Sequence, residues 1–404
     1  MRILADGPEK IVEYIVYLGE NNTSNFDIRK NTHHHLNLVI KGENEIDNRV
    51  RVYEGIYYGT ANSHICSGRK VVFDVTPYRT SKNLTYAYTG IYAGAEYEAT
   101  RAALLWQDTR NLIRTVGISN NTLTVTTSGT KGNAVIGIYS SAGELLWSFH
   151  VWCTEQPQNY RFAEDALGKT YSVMDRNLGA TTTALGQHSS YGLYYQWGRK
   201  DPFIGAVDAQ SSEDATVYDI DGRELHFQIA PKSSGLSLDD ITKTPRIFYT
   251  GMYTWFNSEE SFMRLWGHCI DDVSAPVKTV YDPCPAGYRV APYEILRIAN
   301  RHGVLTSTKS EDYFTASAYN AGWALYYDGA GTDRSKIINF PSGGSRSALS
   351  STWQVVMPET TGSIWTASCR KDFNAYFIGY NFWEIKIVPT ANLMTGDNVR
   401  CVKN

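Results

Sequence analysis

Met174-Asp-Arg-Asn-Leu-Gly-Ala-Thr181 leads into Gly192-Leu-Tyr-Tyr-Gln-Trp-Gly-Arg-Lys-Asp-Pro-Phe203; further on come Asp282-Pro-Cys-Pro-Ala-Gly-Tyr-Arg-Val290 and, at the end, Asn398-Val-Arg-Cys-Val402. In each phrase apolar and aromatic residues stand between glycines, prolines and charges, the punctuation of short strands and turns. The 404 residues around them are 42% hydrophobic and 13% aromatic, with 28 tyrosines and β-branched runs recurring between Gly, Asn and Ser clusters. Such a chain buries more than one core and reads as mostly β, with about two to three domains.

Charge removes one class of partner. Lys plus Arg (38) nearly balances Asp plus Glu (41), and no basic run is interleaved with aromatics, so nucleic acid is not expected. No window approaches the roughly 18 consecutive apolar residues of a membrane helix. Met1-Arg-Ile-Leu-Ala-Asp6 reaches an acid before a signal-peptide core forms, so no signal segment is expected in this chain.

Hydrophobic periodicity divides the chain at about 52 and 157. Ile11-Val-Glu-Tyr-Ile-Val-Tyr-Leu18 and Leu36-Asn-Leu-Val-Ile40 read as two strands that cannot bury a core by themselves. Residues 53–157 carry strands at 71–75, 122–127, 134–139 and 145–152, separated by turns such as Ser119-Asn-Asn121, which suggests an immunoglobulin-like sandwich. In the last of these, Trp147, Phe149 and Val151 alternate with Ser148, His150 and Trp152, as in a strand with one core face. Thr154 to Asn159 reads as a polar linker. Beyond it, Pro292 to Arg301 reads as a helix, and strands are expected at 337–343, 362–368, 375–380 and 399–402. The pairs Asp175-Arg176 and Arg199-Lys200-Asp201 read as local ion pairs of the modest value found at a surface.

The ordered phrases at 174–203, 282–290 and 398–402 closely resemble the FISUMP (major paralogous) domain of bacterial surface proteins, a relative of the C-type-lectin-like and formylglycine-generating-enzyme fold. Residues 17–33, with Arg29-Lys-Asn-Thr32, resemble the closing part of a fimbrillin-superfamily domain, and Gly132-Asn-Ala-Val135 with 146–152 resembles the second domain of fimbrial tip and anchor proteins. The resemblance implies a mostly β chain with an α+β C-terminal domain: 1–52 as the C-terminal portion of a fimbrillin-like β domain, 53–157 as the sandwich, 158–404 as the FISUMP/C-type-lectin-like domain. It implies a fimbrial tip or accessory subunit on the outer surface, joined to other fimbrial subunits by strand addition and displaying the lectin-like domain to a host or bacterial glycan or protein. A surface glycan-binding lipoprotein for polysaccharide capture is the alternative, and a formylglycine-generating-like oxidase the remote one.

The six cysteines (66, 153, 269, 284, 369, 401) lack zinc spacing and permit fifteen pairings, among which sequence does not choose. Cys284 with Cys401 and Cys66 with Cys153 are candidate disulfides, and six buried free thiols are the alternative. Tyr288-Arg-Val-Ala-Pro-Tyr-Glu-Ile-Leu296 is similar to the helix entry of formylglycine-generating enzymes, which need two neighbouring cysteines by their C-terminal strand to bind copper. Only Cys401 lies there, Cys369 standing 32 residues upstream, so an enzyme is not expected. The calcium-binding triplets of C-type lectins are missing, and Asp219-Ile-Asp-Gly222 and Asp328-Gly-Ala-Gly-Thr-Asp333 read as turns. Calcium is thus without support, and no cofactor is expected. His33-His-His35 reads as a solvated strand entry. Tyr191, Tyr194, Tyr195 and Trp197 read as core, whereas Trp323, Tyr326 and Tyr327, in a Gly-rich region, are the candidate ligand-binding residues, since aromatic faces stack on sugar rings.

Overall fold

The computed structural model describes residues 2–6, 10–15, 50–54, 61–75, 99–162, 169–208, 211, 213–232, 236, 238–256, 265–266, 268–269, 278–298, 306–308, 321–327, 333, 335–349, 355–356, 358–370, 374–381 and 384–403. Strands dominate. β1 (Arg2–Asp6), β2 (Lys10–Ile15) and β3 (Val50–Glu54) form a small antiparallel sheet with β2 in the middle. The strand expected at 36–40, the Arg29-to-Thr32 phrase and His33–His35 lie outside the described residues.

Seven strands follow: β4 (Ser63–Ile65), β5 (Lys70–Asp74), β6 (Arg101–Gln107), β7 (Ile113–Ser119), β8 (Thr122–Thr127), β9 (Gly132–Tyr139) and β10 (Leu145–Cys153). β5, β8 and β7 make one antiparallel sheet, whose alternating Leu123 and Val125 are fully buried while the intervening threonines are not. β6, β9, β10 and β4 lie in a second sheet, and β4 runs parallel to β10.

The remainder supplies β11 (Asn159–Arg161), β12 (Ser172–Asn177), β13 (Tyr194–Gln196), β14 (Val217–Tyr218), β15 (Glu224–Leu225), β16 (Gln228–Pro231), β17 (Ile247–Thr250), β18 (His268–Cys269) and β19 (Tyr288–Val290). After these come β20 (Thr306–Thr308), β21 (Gly322–Tyr326), β22 (Ile337–Pro341), β23 (Ser345–Arg346), β24 (Val355–Val356), β25 (Thr361–Cys369), β26 (Ala375–Asn381), β27 (Glu384–Thr390) and β28 (Gly396–Lys403). Two short helices are described, α1 (Leu238–Thr242) and α2 (Glu294–Ile298), the second inside the helix expected at 292–301. The large C-terminal sheet runs β11-β12-β28-β25-β26-β27-β20.

β28 organises this sheet and brings the four phrases together. It pairs with β12 through Val173↔Val402 and Asn177↔Arg400, with β13 through Tyr194↔Asn398, and with β19 through Val290↔Cys401. The Arg400 guanidinium donates to Asn177 Oδ1 at 2.9 Å and to the carbonyls of Met174 and Asn339 at 3.1 and 2.8 Å. Asn398 Nδ2 donates to the Leu193 carbonyl at 3.1 Å. The Asp282 carboxylate, fully buried, accepts the N–H groups of Cys284 and Val290, each at 2.8 Å, and pairs with Lys278 Nζ at 2.9 Å. A disulfide joins Cys284 to Cys401 across 117 residues, with Cα atoms 6.0 Å apart.

Two expectations are corrected. β10 has no solvent face: Ser148, His150 and Trp152 are buried like Trp147, Phe149 and Val151. The reason is the C-terminal segment packed on the second face, where Ser148 Oγ donates to Asp201 Oδ1 (2.5 Å) and Trp152 Nε1 to the Ala180 carbonyl (3.1 Å). The pairs read as surface ion pairs are buried too: Arg199, Lys200 and Asp201 are at most 2% exposed, and Asp175 and Arg176 are 6% exposed. The junction is continuous, since β14 and β15 extend the β6-β9-β10-β4 sheet and a single apolar cluster runs from Cys66 and Trp106 to Trp365 and Cys401.

Closing a loop of this length by disulfide stabilises by up to about 5 kcal/mol in the chain-entropy account. A Cys284→Ala/Cys401→Ala variant is expected to unfold at clearly lower denaturant in equilibrium urea titrations. An unchanged midpoint would show that the strand ladder alone fixes β28.

Candidate functional site

A polar relay at the junction invites a catalytic reading. Ser63 Oγ lies 2.9 Å from His150 Nδ1, His150 Nε2 lies 2.9 Å from Asn133 Oδ1, and Asn133 Nδ2 donates to Asp108 Oδ2 at 2.7 Å. Nucleophile, base and orienting group would follow one another in that order. Burial decides otherwise. Ser63 and His150 are each 1% exposed, and Ser63 Oγ also contacts the Pro283 carbonyl at 2.6 Å. Because Asn133 Nδ2 is committed to Asp108 and to the Gly179 carbonyl, its oxygen faces His150 Nε2, which assigns the ring proton to that nitrogen. Burial pushes the imidazole down to about 3, so it stays neutral. Together with Asn62, whose amide donates to the carbonyls of Val280 and Asp282 (2.6 and 2.8 Å), the relay is a strut between β4, β10 and the C-terminal segment.

The aromatic residues singled out for ligand binding lie in and beside a second core. Trp323 is 3% exposed and its indole N–H donates to the Asn381 carbonyl at 2.9 Å; Tyr326 is 6% exposed. Tyr327, half-buried, stacks on Tyr160 with ring centroids 4.8 Å apart. Tyr194, Tyr195 and Trp197 are fully buried, and Tyr191 nearly so. Cys401 is held in its disulfide with Cys284. Cys66 and Cys153 are thiols, both buried. Asp219 Oδ1 accepts the N–H groups of Asp221 and Arg223 (2.9 and 2.8 Å), a turn closed by its own backbone. Residues 328–332 lie outside the described residues.

A different surface forms a cleft. It occupies about 460 Å³ over one face of β25, β26 and β27, closed by residues 392–397. Its walls follow the strand period of two: Thr361, Ser363 and Trp365 on β25, then Phe377, Gly379 and Asn381 on β26, then Glu384, Lys386 and Val388 on β27. Trp365 donates its indole N–H to the Thr395 carbonyl at 3.2 Å and meets Phe377 edge to face at 5.8 Å. The Tyr380 hydroxyl donates to the Pro341 carbonyl at 2.7 Å. That ring, buried in the second core, lies over Gly362, where an added Cβ would stand 2.0 Å from it, so only glycine admits the ring there. Lys386 and Glu384 pair at the rim.

Asp397 is the unusual member of the lining. It is 2% exposed, and its Oδ1 has no hydrogen-bond partner among the described residues. Burial raises the carboxyl to about 7, against a smaller opposing effect of the Ser363 hydroxyl. The sequence signal for this cleft was the two-residue spacing of Ser363 and Trp365 and of Phe377 and Gly379, but one face of three strands becomes visible only once their register is known. The expected strands covered β25 and β26 and omitted β27.

A family model described as "Domain of unknown function (DUF4906)" matches residues 2–38. No curated protein and no solved structure matches the chain. Among the described residues no helix is long and apolar enough to cross a membrane, and no group of three or more His, Cys, Asp or Glu side chains is arranged to hold a metal ion.

The raised Asp397 carboxyl gives a signed prediction. Unfolded, it loses its proton near its ordinary value of 3.8; folded, it keeps the proton to about 7. Stability therefore falls as pH rises between those values and is lowest above the second. Asp397→Asn is expected to match the unsubstituted chain in denaturant midpoint at low pH and to exceed it above pH 7. Parallel pH profiles would show that this carboxyl titrates normally.

Proposed function

We propose that the chain is a fimbria-associated subunit of a bacterial cell surface, acting in adhesion, with its C-terminal domain holding a glycan in the cleft over β25–β27. The cleft carries the reading. Its volume falls in the range of small-ligand sites, roughly 300–1,000 Å³, and it sets the Phe377 ring beside hydroxyl, amide and charged groups. A sugar offers the matching surface, a C–H face to lie on a ring and hydroxyls at its edge. The family matched over residues 2–38 is often found in fimbrial-type proteins. The phrases at 174–203 and 282–290 resemble the FISUMP domain of surface proteins.

The proposed role of the N-terminal segment is assembly, by addition of a strand from a neighbouring subunit, where main-chain hydrogen bonds give strength and alternate side chains give selectivity. The role of the cleft is binding, without a cofactor. Capture of polysaccharide by a surface lipoprotein would use the same cleft, and incorporation of the chain into purified fimbriae separates the two roles.

Because the core runs across residue 157, the test uses the whole chain. A glycan array is expected to give a specific hit, with Phe377→Ala and Lys386→Ala each weakening the interaction about tenfold, or 1.4 kcal/mol, and Tyr327→Ala leaving it unchanged. Binding that survives both cleft variants, or an array with no hit, overturns the assignment.

A further inference from the structure

We propose that Cys66 and Cys153 form a second disulfide, fastening β4 to β10, when the folding chain meets a disulfide co-reactant such as oxidised glutathione. Strand register carries the inference. β4 runs parallel to β10 with Ser63↔His150, His64↔Val151 and Ile65↔Trp152 as partners, and the Cys66 N–H donates to the Trp152 carbonyl at 2.8 Å. The next step of that register sets Cys66 against Cys153. Neighbouring strands stand about 4.8 Å apart, inside the roughly 4.4–6.8 Å of Cα separation that a disulfide spans.

The two thiols touch each other. Cys153 donates its S–H to the Cys66 sulfur, which lowers the Cys66 thiol and raises that of Cys153, burial adding to the rise. Cys66 in turn contacts the Gly68 carbonyl at 3.4 Å. No other use of the pair is built around it: among the described residues no His, Cys, Asp or Glu group completes a metal site. Both side chains are buried, at 3% and 2%, yet Ser67, Gly68 and Arg69 directly after Cys66 are exposed, so the end of β4 is reached from solvent as it is laid down.

The exchange balances in two steps. The Cys66 thiolate attacks one sulfur of R–S–S–R, the S–S bond breaks, and RS⁻ leaves with the bonding pair. The Cys153 thiolate then attacks the Cys66 sulfur of the mixed disulfide and expels the second RS⁻. The two cysteine protons end on the two leaving thiolates. The cysteine pair loses two electrons, and the co-reactant becomes two molecules of RSH.

β4 is also the strand that reaches the C-terminal segment, through Asn62 and Ser63 to the carbonyls of Val280, Asp282 and Pro283. The second bridge would thus lock the strand that ties the junction together, whatever the cleft binds.

The test is peptide mapping of the whole chain refolded in a mixture of oxidised and reduced glutathione, alkylated under denaturing, non-reducing conditions. The expected result is a Cys66–Cys153 linked peptide beside the Cys284–Cys401 one, with a mass lower by two hydrogens for each bridge. Cys66→Ser is expected to release Cys153 as an alkylated thiol and to reduce the melting-temperature gap between oxidised and reduced samples. Alkylation of Cys66 and Cys153 in a sample whose Cys284–Cys401 bridge is intact overturns the proposal, as does linkage of either to another cysteine. The mapping decides the matter on the unsubstituted chain even where Cys66→Ser does not fold.

Discussion

Everything in the C-terminal half depends on the pairing of the last strand. A strand has only two edges, yet β28 is hydrogen-bonded to β12, β13, β19, β23 and β25, because each partner takes only part of its length. Its residues are buried up to Val402, so a charged side chain on it leaves water and must find its partners inside. Arg400 does so with three oxygens drawn from Met174, Asn177 and Asn339, and its guanidinium stands 4.5 Å over the Phe340 ring. Burial lowers it to about 10, where it still carries its charge at neutral pH. Without that strand, the segments around 174, 194, 290 and 364 would lose their common neighbour.

The same economy governs the junction. A boundary in sequence composition near residue 157 is not a boundary in space, since β10 is covered on both faces and β14 continues the sheet that contains it. The buried charges sit where the two halves meet. Lys200 Nζ donates to Asp201 Oδ1 at 2.7 Å and to the Ser148 carbonyl at 3.2 Å, and lies 4.5 Å over the Trp147 ring. Burial lowers its basicity, and the Asp201 carboxylate opposes that shift. A buried pair of this kind contributes little net stability relative to an apolar contact, but removing one partner strands the other, so it favours one docking geometry over its alternatives.

The cleft arises from the same sheet. β25 and β26 pair so that Thr361, Ser363 and Trp365 share a face with Phe377, Gly379 and Asn381, and the register of β26 with β27 adds Lys386 and Val388. One sheet therefore serves two purposes: its pairing with β28 fixes the fold, and its remaining face offers a mixed aromatic and polar surface.

The sequence by itself determined the local elements. Alternation in Thr122–Thr127 and Leu145–Cys153, apolar continuity in Gly132–Tyr139, and the Gly and Pro punctuation of 192–203 and 282–290 announce short strands and turns, because strand period and turn chemistry act over a few residues. It was silent on β27, where Lys386 and Pro389 blur the pattern, and it gave Trp323 and Tyr326 to a ligand when a core had claimed them. Tertiary structure alone decided which face of β10 was covered, that Asp397 would lie beneath a cleft, and that Cys284 would meet Cys401. Those outcomes depend on contacts between residues from 28 positions apart, as for Trp152 and Ala180, to 117, as for Cys284 and Cys401, and a local pattern carries no record of which distant segment will supply the other side.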